Sequence, residues 1–103
     1  MQYDVHRNPD QAGTPHIPYF LDIQAKAFDR LETRVVIPLM PERAFGPRVV
    51  HLNPIFVVEG QSVVLATADL ASVHRRELGE IIASLAHRRS DILGATDFLF
   101  TGI

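Results

Sequence analysis

Through the first three-quarters of the chain, apolar residues gather in short runs that proline or glycine cuts off, whereas the last quarter spaces them by three and four. Residues 2–7 predict an opening strand. Residues 8–15, Asn-Pro-Asp-Gln-Ala-Gly-Thr-Pro, are dense in types that set turn geometry and predict a loop. Over residues 19–25, Tyr19, Leu21 and Ile23 alternate with Phe20, Asp22 and Gln24, the period of a strand with one buried face. Residues 34–39 form a β-branched run interrupted by Pro38, which has no N–H to give a ladder, so an edge or a bulge is expected there.

After a loop over residues 41–47, further strands are predicted at 49–52, 55–58 and 62–67, with Gly60 between the last two signalling a hairpin, and a short one at 71–73. Strands this short, with no helices between them, predict an antiparallel sheet curling into a small barrel. From about residue 85 to 101 the period changes. Ile92, Ala95 and Leu99 form one apolar helical stripe, with Ser84 a candidate N-cap. Phe98 and Phe100 lie about 100° to either side of Leu99 on such a helix, so both cannot occupy the centre of the stripe. One reading leaves an aromatic exposed beside Thr101-Gly102-Ile103 as a partner site; the other has both phenylalanines covering a wide core edge.

A length of 103 residues suits one domain, residues 1–103, and 47% hydrophobic with 21% charged residues is the balance of a folded protein. A core this small, with no cysteine to staple it, makes a homodimer the expectation. The opening residues lack the apolar run of a secretory signal, and no stretch of about 18 apolar residues occurs, so a cytoplasmic protein without a membrane span is expected. A net charge of −2 gives no long-range attraction to nucleic acid.

Candidate chemistry is sparse. Five histidines, at 6, 16, 51, 74 and 87, include no i, i+4 pair of the kind that presents a metal on a helix, and no metal or other cofactor is expected. Ser72, Ser84 and Ser90 lack a nucleophile-elbow context, and no glycine-rich phosphate loop is present. Asp22, Asp69 and Asp91 read as surface or turn-bonding carboxylates. Arg75-Arg76 and His87-Arg88-Arg89 read as solvated charge. No catalytic residue is assigned.

Read in order, Met1-Gln2-Tyr3, Asp22-x-Gln24, Val36-Ile37-Pro38-Leu39, Pro54, Asp69-x-Ala71-Ser72-Val73, Gly79-Glu80, Leu85-x-His87-Arg88, Asp91-Ile92 and Phe100-x-Gly102-Ile103 resemble the CcdB family of toxins. The resemblance spans nearly the whole chain, and it rests on order and spacing. It implies a homodimer with an SH3-like barrel of the CcdB, Kid and MazF kind, a CcdA-like antitoxin, and the A subunit of DNA gyrase as target. Family members act as topoisomerase poisons, trapping gyrase on cleaved DNA, so DNA is met only through gyrase.

The resemblance also implies gyrase contact through Phe100, Gly102 and Ile103. Four positions depart from the family pattern: Thr101 replaces a tryptophan, Asp97 an asparagine, and Ala27-Phe28 a pair of isoleucines. Two alternatives remain open. One is an mRNA endonuclease of the same fold, for which Arg34, His51 and His87 are the available groups. The other is a non-toxic dimeric remnant that only absorbs antitoxin.

Overall fold

The computed structural model describes residues 1–12 and 16–103, so residues 13–15 of the expected 8–15 loop lie outside it. Seven strands follow one another antiparallel: β1 (Asp4–Arg7), β2 (Tyr19–Asp22), β3 (Thr33–Pro41), β4 (Ile55–Val58), β5 (Gln61–Leu65), β6 (Ala71–His74) and β7 (Ile81–Ser84). A one-turn helix, α1 (Glu42–Phe45), follows β3, and α2 (Arg89–Thr101) follows β7 after a 3-10 turn at Ala86–Arg88. The sheet runs β4-β5-β3-β2-β1-β7, with β6 also paired to β3. It curls into a half-barrel that α2 packs against, the mainly β, barrel-like architecture expected from the sequence.

The inner face carries the alternating residues. Val5, Leu21, Ile37, Leu39, Phe56, Val63 and Leu65 are all buried, and Ile92 and Ala95 of α2 join them in one cluster. Burying a side chain of this size contributes about 1.5–3 kcal/mol each. The stripe on α2 therefore docks through Ile92 and Ala95, while Leu99 lies at its half-buried margin. Ser84 accepts from the Ala86 N–H at 3.2 Å just before the 3-10 turn, and it is not the N-cap of α2, a position held by Arg88.

β3 is central, and this corrects the edge or bulge expected at Pro38. One side of β3 pairs with β2, opposite Phe20; the other pairs first with β6 through Val36 and then with β5 from Leu39. Pro38 stands where the partner changes, its carbonyl accepting from Ala66 N–H at 3.0 Å. A missing donor is harmless in that gap.

Residues 49–52 form no strand. The buried Asn53 accepts from the Val49 N–H at 3.0 Å and donates to the Leu65 carbonyl at 3.0 Å, while its own N–H reaches the Val49 carbonyl at 2.7 Å. One side chain thus closes a turn over what β-branched residues alone would extend. The opening strand starts at Asp4 rather than residue 2, because Tyr3 takes a φ of 70°.

Asp22 bonds the Gln24 N–H two residues on at 2.9 Å, as a turn-bonding carboxylate does, but it is not on the surface. It is 1% exposed, and Arg34 donates to its Oδ2 from Nε at 3.0 Å, with Nη2 at 2.8 Å. A buried charge survives only when paired in this manner. Asp69 and Asp91 are exposed, as read from the sequence. In the β4–β5 hairpin both Glu59 and Gly60 have positive φ, the mark of a type I′ turn. Glu59 accepts from the Tyr19 hydroxyl at 2.7 Å and from Arg7 at 2.9 Å. These bonds hold the Glu59 carboxyl below its usual range, and burial together with the Glu59 bond pushes Tyr19 up to about 12.

Candidate functional site

The end of α2 is built to be seen from outside. Ile92 and Ala95 anchor the helix from below, so residues 100 and beyond project past the sheet. Phe100 is 70% exposed and Ile103 is 96% exposed, with Thr101 and Gly102 open between them. Phe98 takes the half-buried side. Of the two readings of the phenylalanines, the one with an aromatic left in solvent is the observed arrangement.

Gly102 terminates the helix at φ 75°, ψ 12°, and its N–H returns to the Phe98 carbonyl at 2.8 Å. This left-handed cap costs glycine little and other residues more. Thr101 donates its hydroxyl to the Asp97 carbonyl at 2.7 Å, so the side chain lies back along its own helix. Where the family pattern has a broad indole, this chain offers a short group already hydrogen-bonded within the helix. Asp97 is exposed one turn earlier.

Beside the tip, a cleft of about 340 Å³ runs between the 50–54 turn and α2, lined by Val50, His51, Pro54, Gly94, Phe98 and Ile103 among others. Val49 and Val50 are exposed, as is Leu93 on the helix. The apolar surface therefore reaches beyond the last four residues. The sequence reading missed this extension because it assigned residues 49–52 to a strand, and strand residues are expected to bury one face. The signal lay in the flanking Pro47 and Pro54.

Phe28 lies elsewhere, 56% exposed in a 3-10 turn (Lys26–Phe28) of the β2–β3 loop. Arg75 ties that loop down through hydrogen bonds to the carbonyls of Asp29 and Leu31. Arg75 and Arg88 are thus more than solvated charge. Arg88 bonds Asp91 at 2.7 Å and stacks over the Phe56 ring at 4.6 Å, a cation–π contact that clasps the start of α2 to β4. The groups an endonuclease would draw on are not gathered in one place: Arg34 is buried against Asp22, His51 lines the cleft beside α2, and His87 is exposed in the 3-10 turn before it. No cluster of His, Cys, Asp and Glu suited to a metal occurs among the described residues, and no helix is long and apolar enough to cross a membrane.

A curled sheet packed against α2, with Phe100 and Ile103 exposed at the end of that helix, defines a small barrel-like β protein. The chain belongs to the CcdB family: the family model described as CcdB protein matches residues 2–102. It is accordingly a toxin of the toxin–antitoxin kind.

Proposed function

We propose that this toxin binds the A subunit of DNA gyrase with the tip of α2 and holds the enzyme on cleaved DNA, carrying out no bond chemistry of its own. The observation that carries the reading is the joint exposure of Phe100, Gly102 and Ile103 beyond a helix fixed by its buried stripe. A few anchors that fill a partner's pocket, aromatic ones above all, carry most of the energy of protein contacts. Here the αL turn at Gly102 fixes the direction in which Ile103 leaves the helix.

The reading places the toxin in the cytoplasm as a homodimer, reaching DNA only through gyrase and neutralised by a CcdA-like antitoxin. Leu93, Val49 and Val50 offer exposed apolar area for a second subunit or for the antitoxin. Phe28 and Asp97 are secondary contacts in this scheme. Thr101 is the weak point: losing an indole anchor costs about 2 kcal/mol, which is roughly 30-fold in affinity.

Titration of the full chain with a gyrase A fragment containing the dimer-forming region tests the proposal. Saturable binding that Phe100→Ala weakens, with the fold intact, is the expected result; absence of binding up to high micromolar concentration removes gyrase as the target. Thr101→Trp is expected to tighten binding. A second reading, a remnant that absorbs antitoxin and poisons nothing, draws support from the Thr101 hydroxyl being spent on its own helix. Normal growth of a sensitive host on induction, alongside antitoxin binding, would favour it.

A further inference from the structure

The loop between β2 and β3 leaves two large apolar side chains in solvent, Phe28 at 56% and Leu31 at 51% exposure. Its main chain is nonetheless fixed from beneath. Gln24 Nε2 donates to the Phe28 carbonyl at 2.9 Å and to the Thr33 carbonyl at 3.1 Å, while its Oε1 accepts from the Val35 N–H at 2.9 Å. The buried Arg34 reaches Asp29 Oδ1 at 3.0 Å. Arg75 Nη2 donates to the carbonyls of Asp29 and Leu31, and the Arg75 N–H donates to that of Glu32 at 2.8 Å.

The loop is thus held by residues from just past β2, from β3 and from the 3-10 turn after β6. A loop already ordered lowers the entropy that a partner must overcome on binding. Exposed apolar groups rimmed by polar residues mark contact surfaces.

The charges around the pair do not cancel. Residues 26–34 and 74–77 hold five cations and three carboxylates, in a chain whose net charge is −2. Each of those carboxylates faces a partner within the chain: Asp29 meets Arg34, Glu32 lies 3.4 Å from His74 Nε2, and Glu77 accepts from the His74 N–H at 2.8 Å. Lys26, Arg30 and Arg76 are exposed, and none of the three has an ion pair or a side-chain hydrogen bond among the described residues. The Arg75 bonds bring the Arg75-Arg76 turn against residues 29–32, so these free cations and the apolar pair share one surface.

We propose that this loop is a docking surface for an acidic peptide segment with apolar anchors, Phe28 and Leu31 meeting the anchors and Lys26, Arg30 and Arg76 the carboxylates. Complementary charge selects the partner and speeds encounter, and the apolar pair adds contact area that charge alone does not supply. A nucleic-acid strand fits less well, because only one of the two apolar groups is aromatic and able to stack on a base. Phe28 alone is shared with the gyrase reading, and only as a secondary contact, so the inference does not depend on that target.

The test is an NMR titration of the full chain, following the Phe28 ring and the Leu31 methyl groups. The probes are a short synthetic peptide of glutamates interspersed with leucine and phenylalanine, the same peptide with lysine in place of glutamate, and a single-stranded oligonucleotide of equal charge. The acidic peptide is expected to shift both residues saturably with a Kd of about 100 μM or tighter, and the lysine peptide to leave them in place. Reversing two exposed charges together, Lys26→Glu and Arg30→Glu, is expected to weaken the acidic peptide roughly tenfold, and Phe28→Ala to do the same. An oligonucleotide that bound as tightly would overturn the proposal in favour of nucleic acid. No saturable response, an equal response to the lysine peptide, or an unchanged affinity in the charge-reversed protein would overturn it outright.

Discussion

The tip of α2 and the Asp22–Arg34 region answer opposite physical demands within one small sheet. At the tip, apolar side chains stand in water and the hydrogen bonds stay within the helix, from Gly102 to Phe98 and from Thr101 to Asp97. Around Asp22, charged side chains are withdrawn from water, and each partner comes from a different element: β3 supplies Arg34, and the β2–β3 loop supplies Asp29. The first region can change without disturbing the fold, and the second cannot. Two of the departures from the family pattern, Asp97 and Thr101, fall at the tip, where stability is not at stake; the other two, Ala27-Phe28, lie in the loop beside Asp29.

Arg34→Ala should widen the contrast most. It leaves the buried Asp22 with only the Gln24 N–H at 2.9 Å and the Met1 ammonium at 3.6 Å, and the expected cost is about 3 kcal/mol, read as a fall in the urea midpoint. A loss below about 1 kcal/mol would mean that the pair is not buried in solution. Next comes Ile92→Ala, expected to cost about 2–5 kcal/mol by opening a cavity beneath α2.

Phe100→Ala should move the urea midpoint by less than about 0.5 kcal/mol while weakening the gyrase A fragment by more than about tenfold. If stability and affinity fell together, the two regions would not be separable. Gly102→Ala should cost about 1 kcal/mol through its positive φ, visible as fraying of the last turn by amide exchange.

The effect confined to the narrowest conditions lies at the Tyr19–Glu59 bond. The folded state raises Tyr19 from 10.0 to about 12, so its contribution to stability is complete below pH 10 and is lost as pH rises toward 12. Tyr19→Phe should flatten the alkaline limb of the stability profile in that window. A limb of unchanged slope would place the titration elsewhere.

Legibility in the sequence depends on which interactions are local. The strand around Leu21 announces itself by alternation, and those around Ile37 and Phe56 by β-branched runs bounded by turn residues, because both signals depend only on neighbouring positions. The stripe of Ile92 and Ala95 was legible for the same reason, but spacing left open whether Phe98 or Phe100 stayed in solvent, because the two flank the stripe symmetrically. Asp22 was misread because its partner Arg34 lies twelve residues away, and no spacing rule links them. The turn over residues 49–52 was missed because the Asn53 side chain bonds the Leu65 carbonyl across the fold. Pro38 looked like an edge residue because the sequence does not show that β3 changes partners there.

The placement of β1 between β2 and β7 has a consequence during synthesis. A chain leaving the ribosome holds its first strand with one side unmatched until residues 81–84 have emerged, a delay of about 4–15 s at roughly 5–20 residues per second. The seat for Ile92 is complete only after that closure, and the helix it carries is translated later still. The exposed Phe100 is thus set in place only after the sheet beneath its helix has closed.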